Sequence, residues 1–216
     1  VRADVEAHDG EPLLLKVALS PTSMQAARAN MLAEAEGWDF DGMCQEADEA
    51  WNTQLAKVEV KTTDAHARTT FYTALYHTMI APSEFCDVDG AYYGADHDLH
   101  PGEGFVNYTT FSLWDTYRAA HPLLTILQPK RVPDMINTML HIYRQQGKLP
   151  VWHLMGCETN CMVGNPAIPV LADIVLKGLT THGAEALEAM KASAMLDERG
   201  LALLKQYGYI PCDLFS

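Results

Sequence analysis

Residues 111–127 read FSLWDTYRAAHPLLTIL, an apolar run with a tryptophan and an aspartate side by side near its start. The spacing predicts a helix from Ser112 to about Leu127. Asp115 is the anomaly, because a carboxylate that loses hydration without gaining partners is costly or takes up a proton. Two readings give it partners. In one, Ser112 or Asp115 caps the helix and Trp114 belongs to the core. In the other, the indole of Trp114 stacks on the apolar face of a pyranose ring while Asp115 accepts hydrogen bonds from two sugar hydroxyls, helped by the positive end of the helix dipole.

Upstream of this run, LLLKVALS at 13–20 is short, apolar and bounded by Pro12 and Pro21, which predicts a strand whose partners lie upstream of residue 1. Helical spacing begins at Ser23. It returns over 40–58, where Met43, Ala47, Ala50, Trp51, Leu55 and Val58 recur at three and four. DAHARTTFYTALYHTMIAP repeats the pattern, with Asp64 as N-cap, Pro82 as stop and Phe71, Leu75 and Met79 as one stripe. The segment 83–111, dense in glycine, aspartate and aromatics, reads as a loop holding a hairpin that turns at Asp89-Gly90. It is no EF-hand, since Ala91 occupies the third ligand position and no glutamate closes the loop.

Downstream, RVPDMINTMLHIYRQQGK and GNPAIPVLADIVLKGL predict helices ended by Gly147 and Gly178, and GAEALEAMKASAMLDERGLALLKQYG one or two more. The connector LPVWHLMGCETNCMVGN is richer than a turn requires. Its Glu158 fits either a dry pocket that raises its pKa or an ordinary capping acid, and Trp152 and His153 either wall a pocket or pack. Residues 64–216 are thus expected to form about six helices in antiparallel hairpins, with loops 83–111 and 148–165 at one end.

The formal net charge of −13, from 28 acidic and 15 basic residues, disfavours nucleic acid and anionic lipid as partners and suits neutral substrates or cations. No apolar stretch approaches a membrane span, and VRADVEAHDG lacks a signal-peptide layout. The five cysteines are too few for a disulfide framework, and the CETNC pair lacks the second ligand pair of a zinc site. Neither a GxSxG elbow nor a phosphate-binding glycine loop occurs.

FYTALYHTMIAPSEFCDVDGAYYG, FSLWDTYRAAHPLLTI and GCETNCMVGNPAIPVLADIVLKG together resemble glycoside hydrolase family 92, the calcium-dependent exo-acting alpha-mannosidases, in register from about Leu13 onward. The resemblance implies a mainly α chain: 1–22 as the last strand of a beta-sandwich domain, 23–63 as linker helices, and 64–216 as the first half of an (α/α)6 barrel. It implies inverting hydrolysis of terminal alpha-mannosides of glycans, assisted by calcium, by a full-length protein exported to the periplasm or beyond. Trp114 and Asp115 match mannose-pocket positions, and Glu158 with Thr159 matches a loop on the same rim. Pro166 stands where the family pattern has a histidine. The acid, the base and most calcium ligands are expected outside these residues. Two other functions are compatible with the helical plan: another (α/α) barrel carbohydrate enzyme of the trehalase or glucoamylase kind, and a non-catalytic glycan-binding protein.

Overall fold

The computed structural model describes Gly10 and residues 13–214. Two helices come first, α1 (Met24–Glu34) and α2 (Phe40–Leu55), followed by α3 (Ala65–His77). Each starts where a side chain can accept an orphan backbone N–H. Ser23 accepts from Ala26, Asp39 from Gly42, and Asp64 from both His66 and Ala67. These helices bury little, Leu75 alone among their residues being fully buried. Trp51 and Tyr76 meet edge to face at 4.5 Å where α2 lies against α3. Of the expected stripe on α3, Leu75 is buried, Met79 half-buried and Phe71 exposed.

The strand expected over 13–20 does not form among the described residues. A strand needs a neighbour for its N–H and C=O groups, and here no described segment pairs with it. Leu13, Leu15, Val17 and Leu19 are exposed. The first nine residues and residues 11–12, part of the expected 1–22 unit, lie outside the described residues.

Five short strands cross the next segment: β1 (Ser83–Glu84), β2 (Tyr92–Tyr93), β3 (Leu99–His100), β4 (Tyr108–Thr109) and β5 (Phe111–Ser112). β1 pairs with β4 and β2 with β3, both antiparallel. Asp89-Gly90 does turn the chain, with Gly90 at φ +84° and its N–H donating to Asp87 O, but the hairpin lies later. Its turn runs from Gly94 to Asp98, closed by Gly94 N–H to Asp98 O at 2.9 Å.

The run 111–127 is not one helix. Phe111 and Ser112 are taken by a sheet, a short α4 (Leu113–Thr116) follows, and α5 (Ala120–Leu127) begins after a turn. Pro122 explains the break: it has no N–H for the Arg118 carbonyl four residues earlier, and its ring would clash there. Restarting at Ala120 puts Pro122 in the first turn, where the missing N–H costs nothing.

The rest is α6 (Val132–Gln146), β6 (Trp152–Leu154), β7 (Cys157–Glu158), α7 (Ala167–Leu176), α8 (Gly183–Ala194) and α9 (Leu201–Tyr207). Pro133 stands in the first turn of α6 and Gly147, at φ +79°, ends it. The core is built from α5 to α8: Leu124, Ile136, Met139, Leu140, Val170, Leu171, Ile174 and Ala189 pack under Phe111 and Leu113. The chain is mainly helical.

Candidate functional site

One three-stranded antiparallel sheet, ordered β5-β6-β7, ties the two informative loops together. Phe111 faces His153 and Ser112 faces Trp152, while His153 also faces Glu158. The β6–β7 turn at Met155 (φ +50°) and Gly156 (φ +77°) presses on the β2–β3 hairpin. A Cβ at Gly156 would fall 2.5 Å from the Tyr93 ring, and Met155 N–H donates to Thr109 Oγ1 at 2.6 Å. Loops 83–111 and 148–165 therefore share one end of the helices, as expected.

Trp114 and Asp115 follow β5 directly, in α4. Asp115 is exposed, so the desolvation its surroundings suggested is absent; its Oδ2 accepts the Ser112 hydroxyl at 2.5 Å. Neither side chain caps the helix: Ser112 holds the N-cap position without a side-chain bond to a backbone N–H. Trp114 is half-buried, with the Arg118 guanidinium 4.5 Å above its ring. The same guanidinium lies 4.7 Å from the Tyr117 ring. Arg118 escaped the sequence reading, although an arginine three residues after an Asp next to an aromatic was its signal.

Glu158 does not occupy a dry pocket. It is half-buried, and its carboxylate accepts three backbone N–H groups: Val151 at 2.9 Å, Trp152 at 2.9 Å and Asn160 at 2.7 Å. With about four lone-pair positions on a carboxylate, one is left. Thr159 is exposed, and both its N–H (3.1 Å) and its hydroxyl (2.9 Å) donate to Trp152 O. The rim is thus fastened through Trp152: its carbonyl by Thr159, its N–H by Glu158, its register by Ser112.

Two buried histidines lie behind this rim. His153 has an Nδ1 without a partner among the described residues, and burial lowers its pKa while the Glu158 charge opposes that. His121 has neither ring nitrogen partnered there, and desolvation holds its pKa down at about 4. Its ring is 6.4 Å from that of Phe111.

Among the described residues no three His, Cys, Asp or Glu side chains converge as a metal site. Calcium takes roughly six to eight oxygens, several of them from carboxylates. Glu158 is spent on its own loop and Asp115 stands singly, so these donors do not assemble a calcium cage.

Residues 26–216 match the family model described as glycosyl hydrolase family 92 catalytic domain. A curated relative from the fungus Arthroderma benhamiae, an uncharacterized secreted glycosidase, is 26% identical over an alignment 211 residues long that covers 91% of this chain and 23% of that protein. The structure resembles a family GH92 alpha-mannosidase from Bacteroides thetaiotaomicron, also solved in complex with mannoimidazole, with TM-score 0.85 and 39% identity over 90% of this chain and 26% of that one. It likewise resembles a GH92 inverting mannosidase from the same bacterium, with TM-score 0.81 and 30% identity over 89% of this chain and 28% of that one. The chain spans about a quarter of the length of these relatives.

Proposed function

This chain belongs to glycosyl hydrolase family 92, and from that membership we propose that it is part of an exo-acting alpha-mannosidase that hydrolyses terminal alpha-mannosides of glycans with inversion. The observation that carries this reading is the β5–β6–β7 pairing, which sets Trp114 and Asp115 on the same rim as Trp152 and Thr159 in a chain 39% identical to an alpha-mannosidase. The inhibitor bound by that relative, mannoimidazole, supports a mannose-type ligand.

In this reading Trp114 offers apolar contact to the sugar ring and Asp115 accepts from its hydroxyls. Asp115 is ready to do so because a single neutral hydroxyl occupies one of its oxygens. Glu158 serves mainly to hold the loop that presents Thr159, with one lone pair left for a sugar hydroxyl. Inversion needs an acid and a base roughly 6.5 to 9.5 Å apart across one anomeric centre. Glu158 is committed to its own loop, its two oxygens already accepting three backbone N–H groups, so its geometry does not suit protonation of a leaving oxygen. Asp115, exposed and beside an aromatic, fits binding. The acid and base then come from sequence outside these residues, as do most ligands of calcium, whose part is electrostatic and positional when bound.

The same reading assigns 1–22 to the end of a beta-sandwich domain, 23–63 to a linker and 64–216 to the N-terminal part of an (α/α)6 barrel. The description of the Arthroderma relative as secreted supports export. The test is an assay of the full-length protein on an aryl alpha-mannoside, with calcium and then with a chelator, reading the anomer first released by proton NMR. Beta-mannose supports inversion. Turnover of alpha-glucosides in place of mannosides would overturn the substrate assignment.

A further inference from the structure

We propose that Arg118 is a substrate-contacting residue, its guanidinium donating hydrogen bonds to hydroxyls of the same sugar from which Asp115 accepts. This rests on the reading that Trp114 and Asp115 hold a terminal sugar. Arg118 follows Asp115 by three residues, a spacing that commonly yields an ion pair on a helical turn. No such pair forms. Asp115 takes the Ser112 hydroxyl, while the guanidinium lies over two aromatic rings, 4.5 Å from Trp114 and 4.7 Å from Tyr117. Two other arginines do find carboxylates, Arg131 with Glu84 and Arg144 with Glu185, each at 2.6 Å.

Stacking has two chemical consequences. It holds the guanidinium beside the Trp114 and Tyr117 rings, and among the described residues none of its five N–H donors is spent on a protein acceptor. It also covers one face of the indole, so a pyranose that meets Trp114 does so beside Arg118 or on the opposite face. A sugar hydroxyl both donates and accepts. An aspartate that only accepts, next to Trp114 in sequence, and an arginine that only donates, against its ring, together offer both capacities that neighbouring hydroxyls need. The turn that positions Arg118 follows from Pro122, which stops α4 from continuing through residues 117–119.

The experiment is calorimetric titration of the full-length protein with mannoimidazole, methyl alpha-mannoside, its mono-deoxy series and the corresponding glucosides and galactosides. It compares wild type with Arg118→Met and Arg118→Lys. Arg118 is exposed, so both variants should fold, and circular dichroism checks this. Should Arg118→Met not fold, Arg118→Lys carries the test, because a point charge cannot replace the bidentate fork.

The expected result is a loss on the order of 10- to 100-fold in mannoside affinity, the range for hydrogen bonds to a charged group. At least one deoxy-mannoside, already weak on wild type, should lose nothing further in the variants, a signature that a merely structural arginine would not give. Wild-type mannoside binding unchanged by either substitution overturns the role of Arg118 and leaves the mannosidase reading intact. Binding of a different sugar, weakened in the same way by the variants, keeps Arg118 and overturns that reading. Absence of affinity for every sugar overturns both.

Discussion

Ser112 stands directly across the sheet from Trp152, so the residue that hydrogen-bonds Asp115 is in register with the residue whose carbonyl and N–H anchor the Glu158-Thr159 loop. Two segments some forty residues apart in sequence thereby form one rim, and a change on either strand should be felt on the other.

Glu158 gives the first prediction. Glu158→Ala leaves the N–H groups of Val151, Trp152 and Asn160 without their acceptor, at about 1–3 kcal/mol for each one that water cannot reach. Thermal unfolding should show a fall in Tm of several degrees. Glu158→Gln, which keeps one acceptor oxygen, should fall less. Equal Tm values for all three proteins would mean that solvent replaces the carboxylate.

His121 gives a pH dependence. Its folded pKa, about 4, is below the ordinary histidine value of 6.5, so the unfolded chain binds a proton that the folded chain refuses. Its contribution is complete above pH 6.5 and is lost as pH falls toward 4, about 3 kcal/mol in all from that interval at 1.36 kcal/mol per unit. His153, also lowered by burial, acts in the same direction. Urea unfolding at pH 7 and pH 5 should show the loss. His121→Phe, which removes both unpartnered nitrogens, should flatten the profile, and a profile of the same steepness in that variant would absolve His121.

The third prediction concerns Asp87, buried yet without a cationic partner among the described residues. Its carboxylate accepts the hydroxyls of Ser20 (2.9 Å) and Thr22 and the Asn30 amide (2.7 Å), while Asn30 Oδ1 accepts from Val88 N–H (3.0 Å). It fastens segment 20–30 to the turn that leads into β2. Asp87→Ala should speed proteolytic cleavage between residues 13 and 30, and Asp87→Asn should restore much of the protection, because the hydroxyls can turn to accept. Cleavage at an unchanged rate would show that the segment is held by other contacts.

How far could this be read from the chain itself? The helices were legible where periodicity and caps agree, as at Asp64 and at the Pro133 to Gly147 span, because both signals are local. A hairpin within 83–111 was legible, though not the place of its turn, whereas β5, β6 and β7 were not, since they are two or three residues long and exist only through one another. Phe111 and Ser112 look like the start of a helix until Trp152 and His153 pair with them. Trp114 and Asp115 stand out as candidates because an acid in an apolar run is conspicuous, although Asp115 proves exposed and not desolvated. The use of Glu158 was hidden, as its acceptors' partners are backbone groups that no side-chain pattern records. Arg118 was overlooked because its stacking depends on the turn that Pro122 imposes.

Surface composition yields a fourth prediction. Leu15, Val17, Leu19, Trp38, Phe40 and Leu176 are largely exposed. Apolar exposure on this scale marks surface that other protein covers. Residues 1–216 produced alone should self-associate in sedimentation velocity and release no mannose from an aryl alpha-mannoside. A stable monomer would contradict the first expectation, and calcium-dependent turnover by these residues alone would contradict the second.

The most direct test of the central claim is the kcat/KM of the full-length protein on an aryl alpha-mannoside with Asp115 intact and with Asp115→Ala. If Asp115 holds sugar hydroxyls on the rim set by Ser112 and Trp152, kcat/KM should fall on the order of 100-fold or more, as expected for lost hydrogen bonds from a carboxylate to its ligand. Wild-type turnover matched by Asp115→Ala would contradict the account and leave Asp115 as a surface acid that merely accepts the Ser112 hydroxyl.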